Sequence, residues 1–371
     1  MLKFTINRDW FRNGNNRLTI VTMMVAAMVI VASFSGCQKD PIIGDTQPFQ
    51  TTPYELKRLD GMPPMPIPAD NPLTVEGVEL GKKLFYDPIL SGDNTQSCAS
   101  CHQQDAAFVD KDKRFSIGID GKPGSRNSMP LMNVGYGSRF FWDGRAESLE
   151  DLIRIPIEDE LEMHEDLSNA IAELNNSAEY RSLFKSAFGD ETITVDHLSK
   201  AVAQFLRTLV GGSQVINGPA GQFFRDERAE RGYRVFIDEE KGDCFHCHEV
   251  TVLNSTFGFE NNGLADPNDL GLFEATGNPA DKGKFKVPSL YHLNLTAPYM
   301  HDGRFNTLEE VIEHYDTGFV FSETLNANLK KHTLNGKPVP RKWTEQEKAD
   351  LIYFLEQLRD ERFLTNPEFQ P

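Results

Sequence analysis

Two short stretches, "SCASCHQQDAAF" (97–108) and "DCFHCHEV" (243–250), each set two cysteines three positions apart with a histidine directly after the second. Cys98, Cys101 and His102 form one set, and Cys244, Cys247 and His248 the other. The chain holds five cysteines, and the fifth, Cys37, lies in a stretch of different character, so none is left for a structural disulfide. Three chemistries use such spacing: a zinc site, a redox dithiol and the covalent attachment of haem. Structural zinc prefers compact, cysteine-dominated tetrahedral sets. A thioredoxin-like CxxC needs no histidine beside it. In CxxCH the thiols add to the vinyl groups of a haem and the adjacent histidine becomes the proximal iron ligand. Two copies that use every cysteine of the body predict two covalently bound haems c. His246, inside the second motif, reads as a spacer, because the motif already assigns His248 to iron.

The first 36 residues do not read as fold. A basic head ending at Arg17 precedes the apolar run "LTIVTMMVAAMVIVASF", and Ser35 and Gly36 come just before Cys37. Basic head, apolar middle and small-residue exit predict an export signal over 1–36. Small residues directly before a cysteine resemble the lipobox of bacterial lipoproteins, which would acylate Cys37 and anchor the protein to a membrane. The rival is an uncleaved span of about 17 residues, at the short end for crossing a bilayer. Either reading puts the body in the cell envelope, on the periplasmic side or anchored at the outer membrane. Residues 37–72 include the Pro-rich stretch "QPFQTTPYELKRLDGMPPMPIPADNP" and read as an extended tether. The formal charge of −17 argues against nucleic acid as a partner.

Beyond the tether the pattern is helical. "ITVDHLSKAVAQFLRTLVGG" puts Leu198, Ala201, Val202, Phe205, Leu206 and Leu209 on one face and stops at Gly211. "TEQEKADLIYFLEQL" opens with Thr344 and Glu347 in capping-box spacing. "FFWDGRAESLEDLI" (140–153) matches "PYMHDGRFNTLEEVI" (298–312), with Trp142 opposite His301, and "SMPLMNV" answers "KVPSLYHL" upstream. The CxxCH motifs lie 146 residues apart and the DGR motifs 159, so the second half carries an insertion of about a dozen residues between them. The expected fold is all-α: two cytochrome c-like haem domains, 73–212 and 213–371, arising from an internal duplication.

Together, "RNSMPLMNV", "FFWDGRA", the Glu162–Met163 pair and "FKVPSLYHLNLTAPYMHDG" resemble the bacterial dihaem cytochrome c peroxidase and MauG family, over roughly residues 72–360. The resemblance implies that the haem on Cys98, Cys101 and His102 is the peroxidatic one and that on Cys244, Cys247 and His248 the electron-transfer one. It places Trp142 between the haems and Glu162 in the distal pocket as the proton-handling group. It also matches Asn127, Thr296 and Pro298 to an inter-domain calcium site, where one amide oxygen and two carbonyls would suit a hard cation. By composition alone these residues read blandly: "FFW" as core, "EDELEMHED" as a solvated acidic face, Asn127 as a turn cap.

Two departures stand out. Ile119 occupies the region where classical members carry a histidine that blocks the peroxidatic iron, and no histidine lies between His102 and His164. Tyr315 stands where the axial methionine of the second haem is expected, as a tyrosine does in MauG. "TLEEVIEHYDTG" predicts a helix from Thr307 with Leu308, Val311, Ile312 and Tyr315 on one stripe and His314 about 100° away.

The activity implied is reduction of hydrogen peroxide to water, with electrons from an external donor such as a small c-type cytochrome. Two rivals are kept: a MauG-like oxidase that turns high-valent haem chemistry on another protein, and a dihaem electron carrier without catalysis. A homodimer is left open.

Overall fold

The computed structural model describes residues 49–371 apart from 58, 60, 213–225, 250–254 and 265; the expected export signal and Cys37 lie outside the described residues. The helices are α1 (Val75–Tyr86), α2 (Cys98–Cys101), α3 (Leu149–Glu158), α4 (Leu167–Asn176), α5 (Ala178–Phe188), α6 (Val195–Thr208), α7 (Glu227–Ile237), α8 (Leu272–Thr276), α9 (Leu308–Glu313), α10 (Ala327–Lys330), α11 (Glu345–Glu356) and α12 (Glu361–Thr365). Extended structure is confined to two short antiparallel ribbons, β1 (Phe259–Glu260) with β2 (Phe285–Lys286) and β3 (Thr333–Leu334) with β4 (Lys337–Pro338). The body is mostly helical, as its sequence periodicity predicts.

Two helix crossings organise the body, and both depend on a missing Cβ. Where α1 meets α6, a Cβ on Gly81 would fall 1.9 Å from the Ala201 carbonyl oxygen and 3.1 Å from Phe205 Cβ. Where α7 meets α11, a Cβ on Gly232 would fall 2.0 Å from the Asp350 carbonyl oxygen and 2.7 Å from Phe354 Cβ. Each crossing brackets one CxxCH motif in the chain. The expected apolar face of α6 is fully buried, and so are Gln204 and Arg207 on its other sides. Arg207 pairs with Glu150 at 2.8 Å, leaving its Nε without a partner among the described residues, and Gln204 accepts from the Thr74 N–H at 2.9 Å. The helix ends at Thr208, three residues before Gly211. Gly211 is small for a packing reason: a Cβ there would meet Met132 and Phe363. The capping boxes expected at Thr344–Glu347 and Thr307–Glu310 both form.

One hydrophobic core runs from Leu80 to Phe369 and draws on both halves of the chain, and residues 50–371 cluster as one compact unit. Residues 50–72, read from sequence as part of a free tether, are extended but lie on that unit. The Thr52 N–H donates to Glu76, Pro53 bridges Thr74, Met62 is buried, and Asn71 donates to Glu150 at 2.6 Å. Met62 and Asn71 are the anchors that the proline-rich composition concealed.

Several features recur 159 residues apart. The Phe140–Ala146 bridge has a counterpart in Tyr299–Phe305. Asn133 and His292 both take positive φ ahead of short 3-10 turns, and Phe141 and Met300 do so just before Trp142 and His301. The Asn127 N–H donates to the His301 carbonyl at 2.7 Å, and the Lys286 N–H to the Trp142 carbonyl at 2.9 Å.

Because Gly81 touches backbone, which cannot move aside, Gly81→Val should destabilise the protein by about 2–3 kcal/mol or more. Denaturant unfolding of the two proteins side by side checks this, and an unchanged midpoint would mean that the α1–α6 crossing can open without loss.

Candidate functional site

The first CxxCH forms a single helical turn. Ser97 and Ser100 cap α2 reciprocally, so Cys98 and Cys101 stand on one face of the turn and His102 ends it. Ala107 and Phe108 then take consecutive positive φ values, which turns the Phe108 carbonyl back onto His102 Nδ1 at 2.7 Å. With Nδ1 donating, the ring presents Nε2 as the ligating nitrogen. Burial lowers the imidazole's pKa, which keeps it neutral, the form that binds a metal. In the second motif Asp243 takes positive φ ahead of a 3-10 turn over Cys244–His246. His248 Nδ1 lies 3.1 Å from the Pro288 carbonyl, the same device on a different strap of backbone. His246 is held by Asp243 at 2.6 Å, in keeping with a spacer.

The donor sets fit haem better than their rivals. All four thiols are free of disulfides although each pair lies within one turn. Burial pushes Cys98 and Cys244 up to about 12, and Cys101 and Cys247 up to about 11. A redox dithiol needs a lowered thiol pKa, and burial moves all four of these thiols the other way. Among the described residues no cluster of three His, Cys, Asp or Glu side chains is arranged to hold a metal ion.

Cys98, Cys101 and His102 line a cavity with about 1750 Å³ of empty space, its mouth included. Its walls bring in Trp142, Arg145 and Glu162, and from the second half Phe257 and residues 286–289. Trp142 is 8 % exposed, and its indole N–H donates to the Asn127 carbonyl at 2.8 Å. Glu162 stands in a turn built by Asp159, which accepts from the Leu161 and Glu162 N–H groups. The Glu162 carboxylate has no hydrogen-bond donor among the described residues. Burial, seconded by the Asp159 charge and opposed by Arg145, pushes it up to about 7. The acidic stretch therefore does not form a wholly solvated face: Glu162 lines the cavity and Glu165 is buried as well.

The loop over the cavity differs from expectation in one respect. Ile117, not Ile119, lines the cavity. The Ile119 side chain rests against Gly92, and its N–H donates to the Glu162 carbonyl at 3.0 Å. A bridge between Ile117 and Pro123 closes this loop on itself.

Around the second motif, α9 gives way at His314 to one turn of π-helix, His314–Gly318. The expected α stripe therefore breaks there. His314 is buried and Tyr315 is half-buried against the core. His314 Nε2 is 3.0 Å from the Asn262 carbonyl, and burial pulls the ring down to about 4. Tyr315 accepts from Asn262 Nδ2 at 3.3 Å, and burial, with the nearby motif cysteines adding, pushes its phenol up to about 12. Asn262 also reaches Met300 Sδ at 3.6 Å.

Of the residues matched to calcium, Asn127 donates its amide N–H to the Lys113 and Arg114 carbonyls at 3.2 and 3.1 Å. Pro298 and Arg114 meet at Gly303, so both reach one seam. Thr296 donates its N–H to Leu293 at 3.3 Å. Sequence reasoning missed Asn262, Lys286 and the orienting carbonyls of Phe108 and Pro288. Backbone acceptors leave no trace in residue type, and Lys286 was visible only as one letter of a matched motif.

Residues 75–225 match the family model described as di-haem cytochrome c peroxidase. The methylamine utilization protein MauG of Methylorubrum extorquens is 36% identical over 93% of this chain and 96% of its own. The chain belongs to the di-haem cytochrome c peroxidase family. A cytochrome c551 peroxidase of Nitrosomonas europaea is 35% identical over 68% of this chain and 76% of its own. A crystal structure of a MauG-like protein associated with microbial copper homeostasis superposes with a TM-score of 0.74 at 32% identity, covering 85% of this chain and 99% of that one. Two haems c are the cofactors that di-haem family membership implies, and the two CxxCH motifs are the residues that would hold them. Among the described residues no helix is long and apolar enough to cross a membrane.

Proposed function

We propose that the protein is a cell-envelope peroxidase that reduces hydrogen peroxide to water with electrons from a small external c-type cytochrome or similar donor. The observation that carries this reading is Glu162, an unpaired carboxyl raised to about 7 on the wall of the cavity that holds Cys98, Cys101 and His102. Haem held by His102 would supply the iron at which peroxide is reduced, and haem held by His248 would supply a relay for the electrons. The chain's residues do the rest. Phe108 and Pro288 orient the two imidazoles. Glu162 takes a proton from the near oxygen of peroxide and returns it to the far one, so that water leaves. Trp142, pinned by Asn127, stands on the cavity wall as the electron's stepping stone.

Supporting readings follow the same lines. The features spaced 159 residues apart favour an internal duplication into halves 73–212 and 213–371. Asn127, Thr296 and Pro298 are proposed calcium ligands at their seam, and Cys37 the site of a lipid anchor. A second reading, oxidation of a protein substrate as in MauG, is favoured by Tyr315, which we assign as sixth ligand of the His248 haem. Its rival His314 already spends Nε2 on the Asn262 carbonyl.

Glu162 must be ionised to accept a proton. Peroxide reduction with a reduced cytochrome should therefore decline as pH falls below about 7. Glu162→Gln should slow it at least ~10²-fold and abolish that acid limb while both haems remain attached. Near-normal turnover in that variant would return Glu162 to a passive role.

With no histidine to block the cavity and Ile119 turned towards Gly92, the fully oxidised protein should react with peroxide directly. Stopped-flow spectra without prior reduction test this, and strict dependence on pre-reduction would refute it.

Tyr315→Phe should open the sixth position of the His248 haem, changing its ferric spectrum and raising its potential, because a phenolate favours ferric iron. If both stay as in the parent, the ligand lies elsewhere.

A further inference from the structure

Among the described residues Lys286 is the one lysine on the cavity wall, and it comes from the opposite half of the chain to Cys98, Cys101 and His102. Its backbone lies in β2, with its N–H on the Trp142 carbonyl, two residues before the Pro288 carbonyl that orients His248. The residue is 7 % exposed. Its ammonium sits 5.2 Å from the ring centre of Phe257 and 5.7 Å from those of Phe140 and Phe259, and donates to the Arg139 carbonyl at 2.8 Å.

That cage leaves the charge half-served. An ammonium has three donors, and a single carbonyl takes one of them. Aromatic faces attract the cation without accepting the remaining N–H bonds in the way an oxygen does. Among the described residues no carboxylate pairs with it, and burial alone acts on its ionisation, lowering it to about 8. The other cations of the wall are differently placed. Arg126 is held by Asp143, Asp269 and Glu274, and Arg145 by Asp143. A buried amine on a cavity wall with no counter-ion of its own matches a cavity whose occupant brings one.

We propose that Lys286 binds a propionate carboxylate of the haem attached at Cys98 and Cys101, so that a residue of the second half anchors the cofactor of the first. The proposal rests on haem attachment at His102 and not on peroxide being the substrate. Lys286 is a positioning residue: it touches the edge of the cofactor and sets the charge felt at the iron. A fixed positive charge there favours the ferrous state, and its removal leaves a propionate unbalanced.

The test uses the holoprotein, without peroxide, so failure of the peroxidase reading would not affect it. Lys286→Met preserves length and removes the charge. Redox titration should show the His102 haem at a lower potential and the His248 haem unmoved, and resonance Raman should show altered propionate bending modes. Lys286→Arg should restore the potential. Added acetate should leave the potential of the unmodified protein unchanged, because the propionate already occupies the amine. A potential that depends on acetate, and loses that dependence in Lys286→Met, would assign the amine to a diffusible carboxylate and overturn the proposal. Unchanged potential and Raman modes in Lys286→Met would overturn it too, leaving the amine as a strut to the Arg139 carbonyl. If Lys286→Met does not accumulate with haem, ¹⁵N-labelled lysine in the unmodified protein gives a second readout. The Lys286 amine signal should shift between the ferric and ferrous states of the His102 haem, and an amine indifferent to that change would sink the idea.

Discussion

Two backbone hydrogen bonds tie the site together: Asn127 to the His301 carbonyl and Lys286 to the Trp142 carbonyl. Each runs from one half of the chain to the other, and each partner carries a further task. The Asn127 carbonyl receives the Trp142 indole N–H from within the same half, and Lys286 holds the main chain of that tryptophan from across the seam. Two residues beyond Lys286, the Pro288 carbonyl holds His248. The orientation of the second histidine and the wall of the first cavity are therefore set by the same few residues of backbone. Moving one would move the other, so the two motifs are coupled through one short stretch of backbone.

The proposed proton transfer draws on an asymmetry between two acidic residues in one turn. Asp159 is spent on the N–H groups that shape the turn, whereas Glu162, three residues on, faces the cavity without a donor. Desolvation raises the second and the charge of the first adds to it. In the proposed reaction this leaves Glu162, raised to about 7, in the range where a group can both accept and return a proton.

Much of this was legible in the sequence and some was not. The CxxCH motifs named their own chemistry because cysteine is scarce and the spacing is specific. The helix starts at Thr307 and Thr344 were readable because a capping box is a local side-chain device. The fate of residues 50–72 was not, because a few buried anchors such as Met62 outweigh a proline-rich composition that looks like linker. Nor was Ile119, since a loop's facing depends on which residue its backbone pins. Lys286 was hidden for a related reason: a lysine reads as surface until the structure encloses it in aromatic rings.

The π turn at His314–Gly318 bears on how such a site can change over generations. In a regular helix, neighbouring residues point in different directions, so a group cannot be exchanged without disturbing the face that supports it. Here His314 is buried and Tyr315 half-buried against the core, and one asparagine serves both, its carbonyl meeting His314 and its amide Tyr315. His314 keeps the turn moored whatever stands at position 315. A single substitution at 315 thus changes the group that faces Cys244 and Cys247 while the His314 bond to the Asn262 carbonyl stays in place.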